Sequence, residues 1–253
     1  MRASYLLLIA SLLFFHGESP AFQVDNGPIL KIYTEHLPPY NYLESGEFSG
    51  YSTEILKAML KEADITASFT LLPWARAYLS ASNEPNTLLY TTTRTPEREP
   101  YFEWIGPIGP RKMLLFKLAE RTDINIKSKE DLRKYRVGIV RDTSAIKLVV
   151  ERGLFSRVQI DEAPSTTSNM KKLFFKRIDF ILATNGGAKY ELSKLPYKLS
   201  DIEAIYTLDE EYLFYFAINK KSDSEIVAKL KHAFEKVKSS GLMDALRKKY
   251  SVD

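Results

Sequence analysis

Leu88-Leu-Tyr-Thr-Thr-Thr-Arg-Thr-Pro-Glu-Arg98 changes character half-way along. Leu88 to Thr92 has the apolar and β-branched content of a buried strand. Thr91 to Arg98 then places three hydroxyls in a row, and two arginines, in the turn that follows. A guanidinium is a planar fork that meets a carboxylate with two parallel hydrogen bonds, and Thr hydroxyls and backbone N–H groups can complete such a cradle. The same residues read equally as a helix start, with Thr95-Pro-Glu as its N-terminus and both arginines in solvent.

Working outward, strands alternate with helices. Leu30 to Thr34 and Ser68 to Leu72 read as strands before it, with a polar helical turn between Leu72 and Leu88. Ser52 or Thr53 can cap a helix whose apolar residues, Ile55, Leu56, Met59, Leu60 and Ala63, recur at helical spacing. Beyond it, Val137 to Val140 and Ile178 to Ala183 are short apolar runs of the kind buried parallel strands show. Helical patterns occupy Ser144 to Glu151 and Ser165 to Lys176, and a strand is expected at Tyr212 to Ile218. A capped helix starts at Ser224, Gly241 ends it, and a last helix runs to about Tyr250. Repeated strand–helix–strand units predict an α/β protein of mostly parallel sheets flanked by helices. Ligands of such sheets sit beyond the carboxyl ends of the strands. Pro38-Pro39-Tyr40, Trp74 and Thr91 to Arg98 all follow strands.

Composition narrows the class. The 253 residues are 45% hydrophobic and 27% charged, a globular mixture with ample material for a core. The net charge of +4 is spread along the chain, with no basic stripe for nucleic acid. Residues 1–21 read as a cleaved secretory signal: Arg2, an apolar run from Tyr5 to Phe15, then small residues around Ser19-Pro-Ala21. An uncleaved N-terminal anchor is the other reading of that run. Cysteine is absent, which excludes thiol nucleophiles and Cys-ligated metal. The three histidines include His16 in the signal, and His36 and His232 lie far apart, so neither a metal site nor a cofactor is expected.

Trp74, in Leu72-Pro-Trp-Ala-Arg76, reads either as a stacking wall with Arg76 beside it or as core. Tyr40, behind two prolines that fix φ, reads either as a pocket residue or as a surface turn.

Taken together, Thr34-Glu-x-x-Pro-Pro-Tyr40, Ser49-Gly-Tyr51, Trp74 and Thr91-x-Thr-x-Thr-Pro-Glu-Arg98 resemble the extracellular solute-binding proteins of family 3. These are the periplasmic amino-acid-binding components of ABC uptake systems. The likeness continues through Glu130-Asp-Leu132, Val137 to Val140, Arg177-Ile-Asp179 and Gly241-Leu-x-x-x-Leu-x-x-Lys-Tyr250. It implies a two-lobed type II periplasmic-binding-protein fold, with residues 25–112 and 214–253 in the first lobe and 113–213 in the second. It also implies that Arg98 takes a carboxylate, that Thr91 and Thr93 contact it, and that Thr143 and Ser144 close on it from the second lobe. Tyr40 and Trp74 would line the side-chain pocket, with Arg76 and Thr184 completing the expected ligand-binding set.

Two departures stand out. The family often has Gly where this chain has Asp142, and amino-acid binders place an acid for the α-ammonium where it has Thr184, followed by Asn185, Gly186 and Gly187. The function expected is therefore capture of a small carboxylate-bearing solute, amino-acid-like or an organic acid, for delivery to an ABC transporter permease. An amine on that solute would have to meet an acid elsewhere: Glu35, Glu210, or Glu191 if the alignment slips locally. No catalytic residue is expected. The alternatives are a periplasmic dehydratase-like enzyme on the same scaffold, with Glu35 or Glu210 as its acid, and a soluble sensor protein that presents its ligand to a receptor.

Overall fold

The computed structural model describes residues 30–209 and 212–252. The expected signal, residues 1–21, lies outside them, as does Glu210. The chain runs β1 (Leu30–Thr34), β2 (Tyr42–Glu44), β3 (Glu47–Ser49), α1 (Tyr51–Ala63), β4 (Ala67–Leu71), α2 (Trp74–Asn83), β5 (Thr87–Thr93) and β6 (Phe102–Pro110). It continues through β7 (Met113–Leu118), β8 (Val137–Val140), α3 (Ser144–Glu151), β9 (Ile160–Ala163), α4 (Thr166–Phe174), β10 (Phe180–Ala183) and α5 (Asn185–Ser193). The last elements are β11 (Ile202–Asp209), β12 (Leu213–Asn219), α6 (Ser224–Ser239) and α7 (Leu242–Tyr250).

Two five-stranded sheets result, in the orders β4-β1-β5-β12-β6 and β11-β7-β10-β8-β9. In each, a parallel ladder (β4-β1-β5 or β10-β8-β9) is extended by two antiparallel strands. Side chains alternate across a strand, so each sheet has to be covered on both faces. Leu88 and Tyr90 of β5 face a core closed by α1, α6 and α7, whereas Leu89 faces one closed by α2. In the second sheet, Phe180 and Leu182 pack with α3, and Ile181 and Ala183 with α4 and α5. The chain crosses between the sheets after Pro110 and again between Asp209 and Leu213, so the C-terminal helices finish on the first lobe.

Several elements differ from the sequence expectation. The polar turn after β4 is a ten-residue helix, α2. Helix α1 starts at Tyr51 and is not capped by Ser52 or Thr53. Both of those residues are buried, and the Thr53 hydroxyl is 3.1 Å from the Tyr90 hydroxyl. Gly50 precedes the helix at φ 117°, and a Cβ there would lie 2.4 Å from the Tyr40 carbonyl oxygen. Strand β6 contains Pro107 and Pro110, which the pattern alone does not suggest. It is an edge strand, where a missing N–H costs no ladder bond.

Candidate functional site

The carboxyl ends of the two parallel ladders face each other across one cavity of about 290 Å³. Glu35 follows β1, Leu72 follows β4 and Thr93 ends β5; opposite them, Val140 ends β8, Pro164 follows β9 and Thr184 follows β10. The space is of the size that takes a small solute such as an amino acid.

Of the two arginines in the turn after β5, the structure turns one in and one out. Arg94 is exposed and forks onto Glu99, at 2.6 and 3.2 Å. Arg98 is only 8% exposed, donates from Nη1 to the Thr93 carbonyl at 2.8 Å, and lines the cavity. Its Cζ lies 4.9 Å from the ring centroid of Trp74 and 5.3 Å from that of Tyr78. Burial lowers the Arg98 guanidinium to about 10, opposed by Tyr78 and reinforced by the like charge of Arg111, so it remains cationic at neutral pH.

Thr91 sits at φ 56°, a region a β-branched residue rarely enters. It lies where the β5–β12 register shifts by a bulge between Leu89 and Thr92. Bulges re-aim side chains. Here Thr91 lines the cavity, while its hydroxyl oxygen is buried and has no hydrogen-bond partner.

On the second lobe, Thr143 and Ser144 open α3, and Ser144 Oγ accepts from Arg111 Nη1 at 2.7 Å. Asp142, where the family often has Gly, adopts φ 59°. The position uses the left-handed region, which Gly enters freely and Asp tolerates. Three second-lobe helices begin at this wall. Ser165 caps α4 and Thr184 caps α5, each accepting a backbone N–H, but no side chain caps α3. The first turn of α3 therefore carries N–H groups suited to an anion.

Glu35 is the single acid among the described residues lining this cavity. Burial raises its carboxyl to about 7, against the pull of Arg98. Glu191 instead lies 3.6 Å from His36 Nε2, at a contact between the lobes, and is not part of the cavity wall.

Of the residues expected from sequence, Trp74, Thr91, Thr93, Arg98, Thr143, Ser144 and Thr184 line the cavity together. Trp74 is also core, packed beside Tyr78, and its Nε1 donates across to the Asp142 carbonyl at 2.9 Å. Tyr40 and Arg76 stand elsewhere. The Tyr40 ring packs edge-on against Phe214 and Tyr51 in the first-lobe core. Arg76 is exposed, because α2 buries Trp74, Ala77 and Ala81, a face that a residue two positions after Trp74 does not share. Sequence reasoning missed Arg111, 4% exposed and on the cavity wall. Its one visible signal was its place in the basic pair Arg111-Lys112 at the expected lobe boundary at 112/113.

The sequence profile of the bacterial extracellular solute-binding proteins, family 3, matches residues 30–253. The chain belongs to this family. Among curated family members, the "Probable amino-acid-binding protein YxeM" of Bacillus subtilis (strain 168) is 22% identical over 259 residues, 99% of this chain and 95% of that protein. Two solved structures share the type II solute-binding fold. One is a histidine kinase sensor domain with similarity to periplasmic binding proteins, at TM-score 0.76 and 18% identity, covering 88% of this chain and 95% of that one. The other is the substrate binding protein of an amino acid ABC transporter, at TM-score 0.74 and 16% identity, covering 88% and 99%. In this family-3 protein the cavity between the lobes is accordingly the candidate solute site.

Proposed function

We propose that this protein captures a small carboxylate-bearing solute between its lobes and delivers it to an ABC transporter permease, working in the periplasm once residues 1–21 are removed. One observation carries the reading: Arg98, still charged, shares a cavity with the uncapped start of α3. A carboxylate placed there meets a guanidinium from the first lobe and helix N–H groups from the second, so binding favours closure. The apolar part of the solute rests on Leu72, Met113 and Phe214. The family and its curated members, which are binding proteins, support a non-enzymatic role.

Any amine on the solute is taken by Glu35. The Thr184 hydroxyl already accepts the Gly187 N–H at 3.0 Å and, being neutral, does not offset the charge of an ammonium as a carboxylate does. Calorimetry against the standard amino acids, organic acids and small peptides tests both claims. Carboxylates without an amine, and amino acids only through Glu35, are expected to bind. Tight binding of an α-amino acid unchanged in Glu35→Gln would refute the placement of the amine.

A second reading, a dehydratase-like enzyme, draws support from the same Glu35, because a carboxyl near 7 is suited to moving a proton at neutral pH. Its test is turnover: solute recovered unchanged after long incubation with the protein excludes it.

A further inference from the structure

We propose that Arg111 is a positioning residue for capture, a strut that biases the two lobes towards their closed arrangement before any solute arrives. It lies between β6 and β7, on the first crossing between the lobes. From a single nitrogen, Nη1, it donates to Thr93 Oγ1 at 3.0 Å, at the end of β5, and to Ser144 Oγ at 2.7 Å, at the start of α3. Its backbone N–H donates to the Tyr212 carbonyl at 2.9 Å, and its guanidinium lies over the Tyr212 ring at 5.7 Å. Tyr212 stands on the second crossing. One residue thus touches both walls of the cavity and both connections between the lobes.

The two Nη1 bonds differ in what opening does to them. Thr93 and Arg111 are joined through the first sheet, where β6 and β5 both pair with β12, so their bond survives a rigid rotation of the lobes. Ser144 rides on α3 in the second lobe, and its bond exists only when α3 is drawn up to β5. Hydrogen bonds to a charged donor are the strong ones, and this donor is buried in the closed form. Losing the Ser144 bond should cut the closed-to-open ratio about tenfold. Arg98 donates to the carbonyl of the same Thr93 whose hydroxyl Arg111 holds, so the strut and the proposed carboxylate site share a residue.

The absence of cysteine from the sequence permits clean spin labelling. Labels go on Lys61→Cys in the first lobe and Val158→Cys in the second, both exposed. Electron–electron distance measurements are made without added solute, so their outcome does not depend on the carboxylate reading. The parent should show a dominant short distance. Arg111→Met and Ser144→Ala should each lower the ratio of short to long distances about tenfold, and the double variant should lower it no further than either alone. Ser144→Ala removes a single hydroxyl from the half-buried cavity wall and keeps the test open if Arg111→Met folds poorly. A parent already at the long distance, a Ser144→Ala distribution like the parent's, or additive shifts in the double variant would each overturn the proposal.

Discussion

Arg98 and Glu35 both stand in the cavity wall with shifted proton affinities, and burial is the largest cause of each shift. For Arg98 the shift leaves the charge in place at neutral pH. Arg98→Ala should therefore weaken carboxylate binding by about 2–5 kcal/mol. Arg98→Lys should recover only part of this, because an ammonium cannot form the fork. Calorimetry on the best carboxylate from the screen reads both. For Glu35 the folded value of about 7 lies above the ordinary 4.5, so the folded protein holds its proton more tightly than the unfolded chain. Stability tied to this group is full below about pH 4.5 and is lost as pH rises through 7. Glu35→Gln should stabilise the solute-free protein at pH 8, by about 1–3 kcal/mol after allowing for partial exposure, and do little at pH 4. Thermal unfolding at the two pH values checks it. Binding of an amine through Glu35 has the opposite trend, weakening about tenfold per unit as pH falls below 7, since the carboxyl must first lose its proton. The cavity-lining set was legible through the family resemblance and not residue by residue, since the hydroxyls and arginines after β5 read equally as a helix start. Arg76 was placed beside Trp74 on its nearness in sequence; on a helix, positions two apart point different ways.

The start of α1 shows how one backbone position sets an element. Gly50 combines φ 117° with a neighbour, the Tyr40 carbonyl, that leaves no room for a methyl group. Gly50→Ala should cost about 2–4 kcal/mol, read as a lower urea midpoint at unchanged slope. A loss below 0.5 kcal/mol, an order-of-magnitude threshold, would mean that the loop simply moves. Periodicity located the elements with strong apolar patterns: α3 and the start of α6 fall where the sequence placed them. It did not resolve β2, β3, β6, β7, β9 or β11. Hairpin β2–β3 is two strands of three residues, too short for a pattern. Strand β6 carries prolines that an interior strand would exclude, and only the sheet order, unknowable from one local stretch, reveals its edge position.

For the molecule as a whole, the closed arrangement depends on how closely the lobes approach. Lys147 and Glu97 pair across it, Trp74 reaches Asp142, and Gly186 at the start of α5 meets the Pro38-Pro39 turn. A Cβ at Gly186 would lie 2.8 and 2.9 Å from Pro39 Cδ and Cγ. Gly186→Ala should thus penalise closure by about 1–3 kcal/mol while leaving each lobe intact, since Ala suits the first turn of a helix better than Gly. Small-angle scattering should report a larger radius of gyration, with an unfolding temperature equal to the parent's or higher. An unchanged radius would show that the Pro38-Pro39 turn yields instead.

The indole of Trp74 ends in the second lobe although its ring is rooted in the first. The sequence has one other tryptophan, Trp104, and its ring packs against Phe102 and Tyr215 within the first lobe. Parting the lobes takes the Asp142 carbonyl from the Trp74 N–H and lets water take its place, whereas the neighbours of Trp104 stay put. Emission from a Trp104→Phe protein should then move to longer wavelength whenever the lobes part, as loss of the Ser144 bond would make them do. The molecule would report the parting of its lobes in light, with no dye attached.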